Sequence, residues 1–223
     1  MEIEYLGHSS FKLTESTGRS VVTDPFSGDK QGYDFPKTVS DTVTISHNHF
    51  DHNRSDCVKG VKTVITKPGE YDLDGITAFG FLTYHDNHKG ERIRERNVVY
   101  KFRIDGINIC HLGDIGERIG SQVAELIGNV NILMIPVGGT FTLDAERAKE
   151  YVDRIMPDIV IPMHYYDDEN IGNASDLAEV QDFTELFDED FVEYSDDSKV
   201  KFDRSDFDGE TTKILVLTRK NKA

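Results

Sequence analysis

Short apolar runs rich in Val, Ile and Phe recur along this chain, broken by turns containing Gly, Asp and Ser, and such runs predict strands. They fall at 2–6, 10–14, 20–24, 42–46, 62–66 and 75–82, then at 98–104, 107–112, 130–135, 158–162 and 213–218. Asp105-Gly106 between two of these runs is a two-residue hairpin signal. Helical spacing predicts a helix over 121–127, ended by Gly128. It predicts another over 143–156, where Ala145, Ala148, Val152 and Ile155 share a face and Pro157 stops the pattern. A third apolar stripe, Leu177, Val180, Phe183, Leu186 and Phe187, runs through an acidic stretch and reads as one face of a solvated helix. Antiparallel-style strands early, then alternating strands and helices, predict an α+β fold of two packed sheets with helices outside.

No repeat, linker or low-complexity tract divides the pattern, and 223 residues that are 37% hydrophobic suffice for one sizeable core. A single domain over 1–223 is therefore expected. No apolar stretch approaches the roughly 18 residues of a membrane span, and no basic, apolar leader opens the chain, so the expectation is a cytoplasmic protein without a membrane span. Cys57 and Cys110 have no partner at metal-site spacing and read as reduced thiols. The net charge of −16 is concentrated: residues 167–210 hold 17 Asp or Glu against three Lys or Arg, which leaves −2 for the rest. Tight binding to a phosphate backbone needs many Lys and Arg contacts, so this balance argues against a nucleic-acid partner and leaves a small molecule as the expected substrate. A homo-oligomer is compatible with the sequence.

Directly after the apolar run 42–46 the chain reads His47-Asn-His49-Phe-Asp51-His52. If the chain leaves the strand extended, His47 and His49 point to the same side and can grip one metal ion. If it then turns into a helix, Asp51 and His52 face a second ion. Imidazole and carboxylate without thiolate suit zinc, iron or manganese. Three later runs end in a further His or Asp: F-G-F-L-T-Y-His85-Asp86, I-N-I-C-His111-L-G-Asp114 and I-V-I-P-M-His164. Strand ends are where sheet proteins place ligand chemistry.

The order H-x-H-x-D-H, lone His, G-D, lone His resembles the metallo-β-lactamase superfamily over nearly the whole chain. The segments Y-L-G-H-S-S-F, V-V-T-D-P-F, H-L-G-D-I-G, I-P-V-G-G-T and I-P-M-H-Y resemble the branch that includes ascorbate 6-phosphate lactonase and N-acylphosphatidylethanolamine phospholipase D. The resemblance implies a four-layer αββα sandwich with a two-metal site at one edge of the sheets. It implies that His47, His49 and His85 hold one ion, Asp51, His52 and His164 the other, and that Asp114 bridges them. The expected activity is that of a binuclear hydrolase using a metal-bridging hydroxide on a small ester, lactone or phosphodiester, with zinc favoured and manganese the alternative. Asp51 would orient or accept the proton, and His88 or His111 could return one to the leaving group. A nuclease or RNA-processing enzyme of the same superfamily and a non-catalytic metal-binding regulatory module are the competing readings.

Some assignments stay open. His111 rivals His85 as a ligand, with a supporting position preferred for it, and His88 could also be taken for the third ligand. His8 and Asp24 are expected to support a ligand from outside the metal's reach, against an ordinary turn. Gly138, Gly139 and Thr140 either wall the pocket or form a plain turn. Arg92, Arg94 and Arg96 could bind a substrate anion, although a solvated hairpin explains them as well. Tyr165 and Tyr166 could reach an oxyanion.

Overall fold

The computed structural model describes residues 1–85 and 95–222. Its first part contains β1 (Glu2–Gly7), β2 (Ser10–Thr14), β3 (Ser20–Thr23), the short helix α1 (Gly28–Gln31), β4 (Thr38–Val39), β5 (Thr42–Thr44), β6 (Val58–Lys59) and β7 (Thr63–Ile65). There follow β8 (Gly69–Asp72), β9 (Thr77–Tyr84), β10 (Arg96–Ile104), β11 (Ile107–His111), α2 (Ser121–Ile127), β12 (Ile132–Pro136), α3 (Ala145–Ile155) and β13 (Ile159–Met163). The last part adds α4 (Val180–Thr184), β14 (Val192–Ser195), β15 (Lys199–Lys201) and β16 (Lys213–Leu217).

Among the described residues one sheet has the order β15-β1-β2-β3-β5-β7 and the other β14-β16-β13-β12-β11-β10-β9-β8, with β4 and β6 as a separate pair. Alternation along the strands sorts their side chains to two faces. Val98, Tyr100, Phe102 and Ile104 of β10 meet Ile3, Phe11, Leu13 and Val21 in the core between the sheets. Val99 of β10 and Cys110 of β11 turn the other way, onto Ala148, Tyr151 and Val152 of α3 and Phe183 of α4. The outer face of the first sheet is covered more thinly: Leu6, Val22 and Val43 pack under Phe35, Val58 and Val61, with α1 nearby in the chain.

Helix α3 forms where its pattern predicts. Asp144 caps it by accepting from the Arg147 N–H (2.9 Å), and Met156 ends it in a left-handed conformation just before Pro157. The expected strand 75–82 forms as β9, shifted to Thr77–Tyr84, and a turn at Asp74 and Gly75 joins it to β8, which was not expected and whose Tyr71 and Asp72 find ladder partners in Ala78 and Thr77. The long helix expected over the acidic stripe shrinks to α4. Val180 and Phe183 bury, Leu186 stays exposed, and Asp188, Glu189 and Asp190 make a single 3-10 turn that leads into β14. The segment 167–210 is thus built into both sheets, through β14 and β15. No helix among the described residues is long and apolar enough to cross a membrane.

Candidate metal centre

Six chain segments meet at one edge of the two sheets. From the first sheet come His8 in the β1–β2 turn, Asp24 just beyond β3, and residues 47–52 beyond β5; from the second come His85 beyond β9, Asp114 beyond β11 and His164 beyond β13. Strand β5 stops at Thr44, and residues 46–48 bend where an extended chain was expected. Residues 50–52 form a turn, tied by the His52 N–H to the His49 carbonyl (3.0 Å), where a helix was expected. The physical reason lies in Asp24. Its buried carboxylate accepts from the Ser46 N–H (2.7 Å) and Ser46 Oγ, and faces His52 Nδ1 (2.9 Å), so it pulls the segment across the sheet end. The Val98 N–H donates to the Ser46 carbonyl (2.8 Å) and joins the bend to the second sheet.

The donor atoms fall into two sets. His47, His49 and His85 form one, and His8, Asp51, His52 and His164 the other; within each set the donor atoms lie within 4.8 Å of one another. Asp114 Oδ2 stands between the sets, 3.7 Å from His47 Nε2 and 3.4 Å from His85 Nε2 on one side. On the other it is 3.1 Å from His52 Nε2 and 3.3 Å from His164 Nε2. Two ligands at 2.0–2.1 Å from a tetrahedral ion are about 3.4 Å apart, so these separations match edges of a coordination shell. Asp114 is held there by Asn97, whose Oδ1 accepts from the Asp114 N–H (3.1 Å) and whose Nδ2 donates to the Leu112 carbonyl (2.7 Å). The preceding Gly113 has φ +56°, and a Cβ there would strike Asn97 Oδ1 and lie 2.6 Å from Ser46 Cβ, so the G-D pair is a packing requirement.

The residues fit a divalent ion by what their polar atoms lack. Both ring nitrogens of His8 and His85, Nε2 of His52, Nδ1 of His164 and one carboxylate oxygen each of Asp51 and Asp114 are buried without a hydrogen-bond partner among the described residues. Leaving such atoms unmet costs about 1–3 kcal/mol apiece. The first set adds a more specific sign. Ser46 Oγ gives its proton to Asp24, so His47 Nδ1–H must donate to Ser46 Oγ (2.9 Å), and His49 Nε2 lies 2.8 Å from Glu95 Oε2. That turns the His47 Nε2 lone pair inward, 2.9 Å from His49 Nδ1, where an ion could take it.

Electrostatics point the same way. Burial, with the neighbouring His52, holds the His47 imidazole well below its ordinary pKa, and burial with His164 lowers His8 to about 4, so both present neutral rings at pH 7. Burial would raise Asp51 and Asp114. His52 and His8 outweigh it for Asp51, and His164 and His52 for Asp114, keeping both carboxyls well below the usual range and ionised. His52 moves oppositely: burial lowers it, but Asp114 and Asp51 draw it well above its ordinary value. The field that keeps a proton on His52 attracts a metal cation in its place.

His111 is equally buried, yet its Nε2–H donates to the Ser9 carbonyl (2.8 Å) and its Nδ1 accepts from the Gly113 N–H (3.3 Å). Both nitrogens serve the backbone, so this ring neither joins a ligand set nor has a free atom for proton transfer. His88, Arg92 and Arg94 lie outside the described residues, and Arg96 is exposed at the start of β10. Gly138 packs against the His164 carbonyl, so its missing side chain makes room for the ligand-bearing turn. Sequence reasoning missed Glu95, Ser46 and Asn97. Asn97, a polar residue opening the apolar run of β10, carried a readable signal; Glu95 and Ser46 carried none.

Comparison with known proteins agrees with this architecture. Residues 2–164 match the family described as a beta-lactamase superfamily domain. A solved structure from Thermotoga maritima, described as a candidate Zn-dependent hydrolase of the metallo-β-lactamase superfamily, is 32% identical. The match covers 97% of this chain and 98% of that one with a TM-score of 0.76. A UPF0173 metal-dependent hydrolase of Carboxydothermus hydrogenoformans is 27% identical over 82% of this chain and 91% of its own. A UPF0173 protein of Pyrococcus furiosus is 30% identical over 74% and 83%. The chain belongs to the metallo-β-lactamase superfamily, as a member of its metal-dependent hydrolases.

Proposed function

We propose that this protein is a binuclear hydrolase acting on a small ester, lactone or phosphodiester, with His47, His49 and His85 on one ion, Asp51, His52 and His164 on the other, and Asp114 shared. The observation that carries the reading is Asp114 Oδ2 standing 3.1–3.7 Å from imidazoles of both sets. Divalent ions supply acidified water, with a pKa near 7 in place of 15.7, and polarise a carbonyl or phosphoryl oxygen. The donor set, nitrogen and oxygen without sulfur, favours zinc or manganese.

The protein's own contribution is order. Asp24 and Ser46 fix the His52 and His47 tautomers so that Nε2 of each faces inward. Asp51 is the more exposed carboxylate of the cluster, its side chain 19% accessible against 3% for Asp114, and one of its oxygens is unpartnered. Held ionised, it would take a proton at its unpartnered Oδ1 during nucleophile formation. The one N–H of His111 is held by the Ser9 carbonyl and its Nδ1 by the Gly113 N–H, so we assign the ring to holding the Ser9 and Gly113 backbones. The lactone and phosphodiester classes rest on the resemblance of Y-L-G-H-S-S-F and I-P-M-H-Y to the lactonase and phospholipase branch.

Elemental analysis of freshly purified protein, with hydrolysis of bis-p-nitrophenyl phosphate, a lactone panel and acyl esters by wild type and Asp51→Ala, tests the reading. Two equivalents of zinc or manganese and a fall in turnover of about 10²- to 10⁴-fold in the variant are expected. Fewer than one equivalent after reconstitution, or turnover indifferent to Asp51, would sink it.

A further inference from the structure

We propose that His8 is itself a ligand of the ion held by Asp51, His52 and His164, delivered to it by the β1–β2 turn. This rests on the two-ion reading above and adds a donor that the H-x-H-x-D-H pattern does not contain.

Two equally buried histidines from the same end of the molecule make the contrast. The His111 ring has both nitrogens bonded to backbone, as a histidine that only supports the fold should. The His8 ring, 3% exposed, has neither nitrogen hydrogen-bonded among the described residues. Its Nε2 lies 3.4 Å from Asp51 Oδ2, and its ring centre 4.3 Å from that of His164 and 5.3 Å from that of His52. A separation of about 3.4 Å is that of two donors on one tetrahedral ion. It is too long for a good hydrogen bond.

The backbone is built to hold that aim. The His8 carbonyl accepts from the Tyr5 hydroxyl (3.1 Å) and from the His164 N–H (3.0 Å), so the turn carrying one imidazole is bonded directly to the turn carrying the other. Both residues sit at φ +53°, a left-handed conformation that is costly for a side chain with a Cβ. Gly7 precedes His8 because the Tyr33 ring occupies the space, 2.8 Å from where a Cβ would be. A turn this constrained fixes the direction of the His8 ring within the cluster.

The test uses the full-length protein, stripped with chelator and reloaded with Zn²⁺ or Co²⁺, comparing wild type with His8→Ala and His8→Gly. Glycine suits the left-handed backbone, so His8→Gly keeps the fold, as far-UV circular dichroism will report. Expected are two equivalents in the wild type. In both variants the first ion should bind as in the wild type, while the second weakens by at least about 100-fold in competition with a chelator. The Co²⁺ absorption assigned to the second ion should change in the variants, and added imidazole should restore both that spectrum and the second equivalent in His8→Gly. Two equivalents of wild-type affinity with an unaltered Co²⁺ spectrum in the variants would overturn the assignment of His8 alone. Failure of imidazole to restore a lost second ion would overturn it as well. Fewer than two equivalents in the wild type would overturn the two-ion reading, and the role of His8 with it.

Discussion

His8, Asp24 and His164 share a left-handed backbone, with φ of 53°, 38° and 53°. Each is a residue with a Cβ, and each lies within the metal centre or directly behind it. Strain of this kind costs on the order of 1–3 kcal/mol per residue and persists where surrounding structure over-determines it. In metal-free protein His164→Gly should accordingly be more stable than His164→Ala by about 1 kcal/mol, measured by urea unfolding. Equal stability would show that the turn relaxes on mutation. Glu95 acts differently, through its 2.8 Å contact with His49 Nε2, which leaves Nδ1 for the ion. Glu95→Gln should weaken metal binding at that set by about 10- to 100-fold in chelator competition, with little effect at saturating metal. Spacing made His47, His49, Asp51 and His52 legible in the sequence, because neighbours in the chain are neighbours in the site. Asp24 and His8 were readable only as supports, and Glu95 not at all, since their contacts join distant positions through the sheet stack.

Strands β10 and β11 show what a sequence discloses about an element. Their apolar runs and the Asp105-Gly106 turn were sufficient to find them, and Tyr100 pairs with His111 and Ile104 with Ile107 in the ladder. Asp105 and Gly106 have φ of 52° and 79°, as the paired left-handed turn requires. Gly106→Ala should cost about 1 kcal/mol in urea unfolding, and an unchanged midpoint would contradict the turn assignment. The Asp105 carboxylate also latches the hairpin to the first sheet, accepting from Ser16 N–H and Oγ (2.9 Å each) beside the Met1 ammonium (3.2 Å). Slight burial raises its pKa, but Ser16 and the ammonium outweigh that and hold it below the ordinary carboxylate value. A depressed folded pKa means stabilisation that is present above about pH 3.9, the unfolded value, and lost as pH falls through the folded one. Asp105→Asn should therefore destabilise the protein at pH 6 and have a shrinking effect toward pH 2, which acid titration of the unfolding free energy would reveal. Strands β14 and β15 left no such signature. V-E-Y-S and K-V-K are polar and short, and ladder pairing with β16 and β1 decides their structure.

The net charge of −16 acts at the scale of the whole molecule, where repulsion among carboxylates opposes compactness. Raising monovalent salt from about 0.01 to 0.5 M, which shortens the screening length from about 30 Å to under 8 Å, should raise Tm. A fall in Tm would mean that the attractive pairs, such as Asp167 with Arg219 and Lys222, outweigh the repulsion. The two-sheet architecture was visible in the sequence as a class, whereas its closure was not. Ile65 of β7 is followed after three residues by Gly69 of β8, and Ser195 of β14 after three by Lys199 of β15, so the chain passes from sheet to sheet at both lateral edges. Such a molecule is a flattened sleeve stitched along both seams. Its walls cannot swing apart like the covers of a book, because a few extended residues at each seam permit only a small gap. What remains free is the rim, where the loops carrying the histidines stand. Substrate must enter end-on at that rim, and changes that enlarge or narrow the mouth will act through loop length, leaving the sleeve untouched.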